Sequence, residues 1–217
     1  DKTRYAEDGL SRQRLDRPYI RENGKLRPAA WAEALDATAK ALSDNPARIG
    51  AIAGDLACAE SMKATLDLFR ALGSPNTDCR PDGAVIGAGP RQSYLFNSTV
   101  AGIDEADSTL LTVGNPPLEA PVLNARVRKA WLRGAEIAYV GEAAELTYPY
   151  THLGRSFADF KDRDAIVQKL KAAQRPMIVV GMGALTRPDS AAVLQGVGAL
   201  AAGAGVVREG WNGFNVL

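Results

Sequence analysis

Four short apolar segments of the sequence end in glycine, and glycine lets a ligand approach the backbone closely. These ends are Gly54-Asp55, Gly114-Asn115, Gly141-Glu142 and Gly181-Met182-Gly183. Where a helix follows such an end, the free N–H groups of its first turn favour a phosphate. The chemistry to consider first is therefore recognition of a nucleotide phosphate.

The same glycines also have a purely structural interpretation, because a short strand-to-helix turn often needs a positive φ. The dinucleotide-binding fingerprint is incomplete: "GMGALTRP" (181–188) has the first two glycines but lacks the third, and "GAGPRQ" (87–92) follows no convincing strand. The sequence contains no Gly-Lys-Ser/Thr P-loop and no Gly-x-Ser-x-Gly nucleophile elbow. Both interpretations stay open at this point.

Few other side chains could be reactive. His152 is the only histidine, and its Tyr- and Pro-rich surroundings indicate a surface or packing residue rather than a base. Cys58 and Cys79 are separated by twenty residues without a nearby histidine, which excludes a four-cysteine iron–sulfur site and a self-contained zinc site. We expect both thiols to be buried. No catalytic residue and no metal ligand are predicted.

The elements that must position these residues alternate between apolar strands and helices of ten to sixteen residues. Because each crossover between parallel strands returns over the sheet, helices should cover both faces. We predict an open, doubly wound, mostly parallel α/β sheet of about five strands, Rossmann-like in type. The strands are expected in "ARIGAIAGD" (47–55), "STLLTVG" (108–114), "AEIAYVG" (135–141), "RPMIVVG" (175–181) and "VVREG" (206–210). Their glycine ends could line one crevice.

The remaining segments are predicted from periodicity and composition. An irregular segment such as 76–104 is usually functional or docked on a partner. Gly196 and Gly198 each weaken a small-residue helix by about 1 kcal/mol, so that helix depends on close packing. Helices are expected in 27–42 (with Pro28 near the start), 58–72, 119–134, 162–174 and 189–205, and irregular chain in 76–104 and 148–160.

Composition limits the class of protein. The net charge of +1 does not mark a nucleic-acid binder, and no stretch of the sequence is apolar and long enough for a membrane span. Residues 1–27 concentrate Arg and Lys without a clear apolar period, which predicts an extended basic arm or a solvated tail before an α/β domain over 28–217. Since the chain begins at Asp1 without Met, we expect a piece of a longer polypeptide.

Three long motifs carry a family resemblance. They resemble the large iron–sulfur (75-kDa or G) subunits of respiratory complex I, the NADH-quinone oxidoreductase (NADH dehydrogenase) of the respiratory chain. The resemblance covers Asp1 to about Arg208 and concerns only the molybdopterin oxidoreductase-like region of that family. The motifs are "DGLSRQRLDRPYIRENGKLRPAAWAEAL" (8–35), "SYLFNSTVAGIDEAD" (93–107) and "GNPPLEAPVLNARVRKAW" (114–131).

The resemblance also predicts whether the glycine-lined crevice holds a ligand. In molybdopterin enzymes a Gly-Asn-Pro turn lies close to the pterin nucleotide, whereas the complex I relatives are understood to have lost the molybdenum cofactor. We therefore expect a vestigial, empty pocket. Its cofactor-binding positions would be Gly114, Asn115 and Pro116, with Gly54, Gly181 and Gly183. The resemblance implies no cofactor in this chain, and iron–sulfur clusters in an N-terminal region of the subunit that the chain does not include.

The resemblance also implies function and partners. The expected role is a structural and subunit-interaction domain of the electron-transfer arm, non-catalytic by itself. Its partners would be the rest of the same subunit and other peripheral-arm subunits, with no nucleic acid and no membrane insertion. The location would be peripheral, on the cytoplasmic side of the bacterial inner membrane or the matrix side in mitochondria. Two alternatives stay open: an oxidoreductase domain that retains a molybdopterin or dinucleotide in the crevice, and a regulatory nucleotide sensor.

Overall fold

The structure is a computed structural model, and it describes residues 14–54, 56–80, 82–86, 89–112, 115–160 and 163–217. Asp55, Gly114 and the start of "GAGPRQ", which the predictions above include, lie outside the described residues. The chain divides into two compact units, Asp1–Pro81 and Asp82–Leu217.

The described residues of the first unit form two small sheets and two α-helices. Strands β1 (Tyr19–Glu22) and β2 (Lys25–Pro28) form an antiparallel hairpin. Its two-residue turn, Asn23-Gly24, has positive φ at both positions, as the common hairpin turn requires. Helix α1 (Trp31–Ser43), strand β3 (Ala51–Ile52), helix α2 (Ala59–Ala71) and strand β4 (Thr77–Asp78) follow, and β3 pairs with β4 in parallel.

Two predictions for this unit need correction. The C-terminal part of the predicted extended arm is the β1–β2 hairpin, and Pro28 ends β2 instead of starting a helix. Arg27 ties the hairpin to the first turn of α1, because its guanidinium contacts Glu22 at 2.6 Å and Glu33 at 2.5 Å. The predicted buried strand near residue 50 is only two residues long, and Ile52 is 71% exposed.

The second unit is built on a five-stranded sheet with the order β11-β8-β5-β6-β7, in which every neighbouring pair is parallel. The coarse prediction of an open α/β arrangement is therefore confirmed. The sheet strands are β5 (Ser108–Thr112), β6 (Glu136–Val140), β7 (Thr151–Gly154), β8 (Pro176–Val180) and β11 (Phe214–Val216). The helices are α3 (Thr99–Gly102), α4 (Pro116–Glu119), α5 (Pro121–Leu132), α6 (Arg163–Ala172), α7 (Met182–Leu185) and α8 (Ser190–Ala204).

Helices cover both faces of this sheet because its central strands are apolar on both sides. One core holds Val140 of β6 and Val180 of β8, and α6 and α8 pack on that face. The other core holds Ile137 and Tyr139 of β6 with Met177 of β8, and α5 packs there. Alternate residues of one strand thus enter different cores, as the pleat requires.

The sheet does not contain the five strands predicted from the sequence. The segment 47–55 contributes to the other unit, and "VVREG" forms β9 (Val207–Arg208), which pairs with β10 (Trp211–Asn212) in a hairpin. In their place the sheet takes β7, from a segment predicted to be irregular, and β11 at the C-terminal end of the chain. The predicted helices of this unit are confirmed within a few residues.

Part of the segment 76–104 packs against the edge strand β11 instead of forming a structureless loop. Val216 N donates to Leu95 O at 3.0 Å, and Asn97 Nδ2 donates to Phe214 O at 2.6 Å. Asn215 is fully buried, and its Oδ1 accepts from Ser98 N at 2.9 Å. This segment therefore pairs with the edge of its own sheet. No helix among the described residues is long and apolar enough to cross a membrane.

Candidate functional site

The carboxyl edge of the central strand β5 brings together three of the predicted glycine ends. Thr112 is in register with Val140 of β6 and with Val180 of β8, so Asn115, Gly141 and Gly181 follow neighbouring strands at one edge. Gly54 follows β3, which belongs to the other unit and pairs only with β4 among the described strands. The structure therefore groups Asn115 with the ends of β6 and β8, and Gly54 is not part of that group.

Asn115 immediately precedes helix α4. The backbone N–H of Asn115 donates to Glu119 Oε1 at 2.9 Å, and Pro116, the first helical residue, is buried. The Asn115 side chain makes no capping hydrogen bond. Its Oδ1 is buried and has no hydrogen-bond partner in the described chain. A buried acceptor without a donor is costly, and such groups often mark a functional position.

A cleft with about 930 Å³ of empty space lies beside Asn115. One wall is the start of α4, and the other is the loop that follows β6. The lining residues are Asn115, Pro117, Leu118, Tyr139, Glu142, Ala143, Ala144 and Glu145. Two of these side chains are carboxylates, and none of the described lining residues is basic. The cleft, which we call the Asn115 cleft, is therefore open, partly apolar and acidic.

Aromatic and glycine contacts hold Tyr139, which lines the Asn115 cleft. A Cβ at Gly141, whose φ is +152°, would lie 2.6 Å from the Tyr139 hydroxyl, so the close approach of Tyr139 requires glycine. The Tyr150 ring meets the Tyr139 ring edge-on at 5.3 Å, and Tyr150 Oη donates to Ala144 O at 3.0 Å. Burial is the main cause that raises the pKa of Tyr139, and the charges of neighbouring groups, including Glu119, raise it further.

His152 is exposed and contacts the turn after β6. Its Nε2 lies 2.7 Å from Gly141 O, and its ring stacks at 6.2 Å from that of Tyr139. The imidazole thus holds the turn after β6 rather than standing beside a nucleophile.

The end of β8 offers little to a ligand. Gly181 has an ordinary extended φ of −77° and precedes α7, a helix of only four residues. Its carbonyl accepts from Ala184 N at 3.0 Å, which closes the turn internally. Gly183 lies inside this short helix.

The Asn115 cleft does not suit the anionic diphosphate of a pterin nucleotide or dinucleotide. A phosphate needs N–H donors or basic side chains, whereas the lining of the cleft includes the carboxylates of Glu142 and Glu145. The strand order reverses between β5 and β8, which is where this architecture usually binds ligands. The cleft lies on the other side of β5, toward β6.

The first unit contains a second cleft. It has about 830 Å³ of empty space and is lined by Ala51, Ala53, Met62, Lys63, Thr65, Leu66, Thr77, Asp78, Cys79 and Arg80. Backbone N–H groups of Arg80 and Cys79 donate to the Asp78 carboxylate and lower its pKa. The Asp78 carboxylate thus serves to shape its own loop.

Both cysteines are exposed, so the expectation of buried thiols was wrong. Cys58 precedes α2, and its Sγ lies 3.1 Å from Ser61 Oγ; hydrogen bonds from Ser61 lower the pKa of this thiol. Among the described residues, no group of three or more His, Cys, Asp or Glu side chains is arranged to hold a metal ion.

Comparison with known proteins identifies the family. The family model for molybdopterin oxidoreductase matches residues 14–217. The chain belongs to the molybdopterin oxidoreductase family. Within that family it is similar over its whole length to subunits of NADH dehydrogenases, as the three sequence motifs predicted.

Three relatives illustrate this similarity. The chain is 38% identical to the mitochondrial NADH dehydrogenase [ubiquinone] iron-sulfur protein 1 of Solanum tuberosum and 42% identical to the mitochondrial NADH-ubiquinone oxidoreductase 78 kDa subunit of Candida albicans. It is 39% identical to the G subunit of the NADH-quinone oxidoreductase of Rickettsia bellii. Each alignment covers 100% of this chain but only 30%, 31% and 33% of the respective relative. This member of the molybdopterin oxidoreductase family thus spans about one third of those subunits.

Proposed function

We propose that this chain is the molybdopterin oxidoreductase-like region of a large iron–sulfur subunit of respiratory complex I. In this proposal it serves as a structural and subunit-interaction region and has no redox centre of its own. The observation that supports it most directly is the match of the whole chain, at 38–42% identity, to three NADH dehydrogenase subunits. Oxidation of NADH and reduction of quinone are proposed for the whole assembly, not for this region alone.

The proposal assigns iron–sulfur clusters to other parts of the subunit. The Solanum relative is named an iron-sulfur protein, and this chain matches 30% of it. The two cysteines of the chain do not belong to a ligand group among the described residues. Partners would be the rest of the subunit and neighbouring peripheral-arm subunits, and the location would be peripheral, on the cytoplasmic or matrix side of the membrane.

Exposed apolar side chains of the first unit support a docking role. Helix α1 has no buried residue; Trp31 is 69% exposed and Leu35 60%. Within residues 14–80, Phe69 is the only buried hydrophobic residue described. An isolated helix gains little stability without burying an apolar face. We propose that the face with Trp31 and Leu35 packs against the rest of the same subunit.

The finer architecture is also a proposal. The strand order β11-β8-β5-β6-β7, with helices on both faces, supports a doubly wound, Rossmann-like sheet. We propose that residues 28–217 act together as one molybdopterin oxidoreductase-like region behind an N-terminal segment over 1–27. We further propose that the predicted pocket is vestigial, and that Gly114, Asn115, Pro116, Gly181 and Gly183 mark its former position, with Gly54 outside it.

An assembly experiment with the full-length subunit tests the structural role. Asn215→Leu removes the buried acceptor that holds Ser98 against β11, and it leaves donors without partners. The full-length variant would be co-expressed with the other peripheral-arm subunits, and the amount of assembled complex would be quantified by native gel electrophoresis. We expect assembly to fall severalfold relative to the exposed control Glu209→Gln.

Elemental analysis of the intact complex addresses the cofactor alternative. We expect the iron content of the complex to be independent of this region. The content of molybdenum or tungsten should be far below one atom per subunit. If the region is instead a cofactor-binding oxidoreductase domain, about one molybdenum or tungsten atom, or a tightly bound nucleotide, will accompany each subunit. If Asn215→Leu unfolds the region and assembly is nevertheless unaffected, the structural role is also overturned.

A further inference from the structure

The outward face of helix α5 carries apolar side chains that the rest of the described chain leaves exposed. Asn124, Val127 and Ala130 are buried on the inward face, where α5 packs on the sheet. On the opposite face Val122 is 75% exposed and Leu132 is 59% exposed. The core of this unit therefore uses only one face of α5.

The exposed residues follow the spacing of a helix-packing seam. Positions 122, 125, 129 and 132 are separated by three, four and three residues, which places them along one side of a helix. All four residues are exposed, and we define the α5 seam as Val122, Ala125, Lys129 and Leu132. A second helix can pack its own apolar residues between these side chains, and the methylene stem of Lys129 adds apolar surface.

Basic side chains flank the α5 seam, and α5 contains no acidic residue. By helical spacing, Arg128 lies on one side of the seam, and Arg126 and Arg133 lie on the other. In paired helices the charges at these flanking positions select the partner. Arg128 donates to Thr147 O at 3.3 Å and forms no ion pair among the described residues.

The other basic side chains share one carboxylate. Asp104 forms ion pairs with Arg126 and, at 3.1 Å, with Arg133. The same carboxylate lies 3.9 Å from Lys129. One negative charge does not balance these three positive charges, and Arg128 adds a fourth. The α5 seam and its flanks therefore carry an excess of positive charge, which a negatively charged partner complements.

We propose that the α5 seam binds an amphipathic helix of a neighbouring polypeptide, one whose apolar stripe is flanked by glutamate or aspartate. Apolar side chains of that helix pack on Val122 and Leu132, and its carboxylates pair with Arg128 and Lys129. A second copy of this chain does not fit, because it would bring like charges together. This inference rests on the proposed interaction role and gives that role a surface and a partner chemistry.

A peptide titration of the 217-residue chain tests the inference. The probe is a peptide of three Glu-Ile-Ala-Ala-Leu-Glu-Lys repeats, and its control carries glutamine in place of every glutamate. Both peptides carry a fluorophore, and binding is followed by fluorescence anisotropy. We expect the glutamate peptide to bind about tenfold more tightly, which corresponds to about 1.4 kcal/mol and is within what a few exposed ion pairs supply. This advantage should shrink as salt increases.

Two pairs of variants locate the binding. Val122→Ser should weaken both peptides severalfold, whereas Val207→Ser, the same change at an exposed valine of β9, should leave binding unchanged. Arg128→Gln should weaken only the glutamate peptide, by about threefold, the effect of losing one exposed ion pair. Arg70→Gln, at an exposed position of α2, is its control and should have no effect. Because all four side chains are exposed, none of these variants should lower the unfolding midpoint appreciably.

Other outcomes would overturn the inference. Equal binding of the two peptides would refute the preference for an acidic partner, and no binding of either peptide at millimolar concentration would refute the seam itself. A dimer of the chain that Val122→Ser abolishes, measured by sedimentation, would show that a second copy occupies the seam. None of these results alters the amount of assembled complex or the metal content above, so the inference and the proposed function can fail separately.

Discussion

Replacing Tyr148 with Phe tests the contact that holds one wall of the Asn115 cleft. Tyr148 is 5% exposed, and its hydroxyl donates to Asn124 Oδ1 of α5 at 2.6 Å. Asn124 is equally buried, and its Nδ2 donates to Leu146 O at 3.4 Å. The pair therefore joins α5 to the loop after β6, which carries Glu142 and Glu145. Tyr148→Phe removes one oxygen and leaves Asn124 Oδ1 buried without a donor.

The expected loss follows from that unpaired acceptor. Leaving a buried polar group without its partner costs about 1–3 kcal/mol. For a chain of this size, each kcal/mol lowers the midpoint by about 2–4 °C, so Tyr148→Phe should melt roughly 2–12 °C lower. The effect should come mainly from Asn124 rather than from a cavity, because phenylalanine keeps the ring and all of its packing. Tyr148→Phe combined with Asn124→Leu should therefore recover part of the loss.

Thermal unfolding followed by circular dichroism measures the shift of the midpoint, and urea unfolding measures the free energy of unfolding. Tyr94→Phe is the matched control, because Tyr94 is 36% exposed and its hydroxyl has no hydrogen bond among those described; its change should stay within about 0.5 kcal/mol. If Tyr148→Phe is as stable as the control, the assignment of this buried hydrogen bond as a stabilising contact is refuted.

The pH dependence of the same pair provides a second test. Burial raises the pKa of Tyr148 above its usual range, so the folded chain retains a proton that the unfolded chain releases at high pH. The stabilising contribution of Tyr148 is therefore complete below about pH 10, the ordinary tyrosine pKa, and is lost as the pH rises above it. The stability gap between the wild type and Tyr148→Phe should narrow above that pH. A gap that stays constant or widens would contradict this reasoning.

Two further predictions concern helix α8 and the ion pairs that Asp104 forms with Arg126 and Arg133. Gly198→Ala should raise the free energy of unfolding by about 0.5–1 kcal/mol, because the added Cβ meets open space. Gly196→Ala should raise it less or lower it, since its Cβ would lie 2.8 Å from the Phe157 ring. Thermal melts compare the two variants, and equal gains in stability would contradict the packing of Phe157 on Gly196. Asp104→Asn should lower the midpoint near pH 7, because hydrogen bonding to Arg133 holds the pKa of this carboxyl below its usual range. That difference should disappear as the pH falls below about 4, and a difference that persists there would exclude a charge effect.

The sequence predicted the central strands and missed the edges, for a physical reason. β6 and β8 are continuous apolar runs because both of their faces enter a core. At the edges, β7 reads "THLG", in which only Leu153 is buried, and β11 has a buried amide in place of an apolar residue. Asn215 can be buried there only because Ser98, far away in sequence, donates to it. Local patterns cannot predict a strand that depends on a distant partner.

One local signal contradicts the prediction of an extended arm. The Asn23-Gly24 pair is the strongest short-range sign of a hairpin, and it stands inside the segment predicted to be extended. The two-residue strand β3 shows the opposite limit. Its apolar run predicts burial, yet Ile52 is mostly exposed, because within the described chain the sheet of β3 consists only of β3 and β4. Burial of an apolar run depends on covering elements that its own residues do not specify.

The Gly-Asn-Pro turn shows how far sequence can lead toward a site. The position of Asn115 at a strand end was predictable, since an apolar run stops there and a helix follows. The polarity of the space beside it was not predictable, because the carboxylates of Glu142 and Glu145 come from the loop after β6. They face Asn115 only because β6, rather than β8, is the neighbour on that side. In a parallel sheet the residues just beyond adjacent strands share one cleft, so strand order decides whether an inherited turn meets donors or carboxylates. Here it meets the carboxylates of Glu142 and Glu145, which repel the anion that its family suggests.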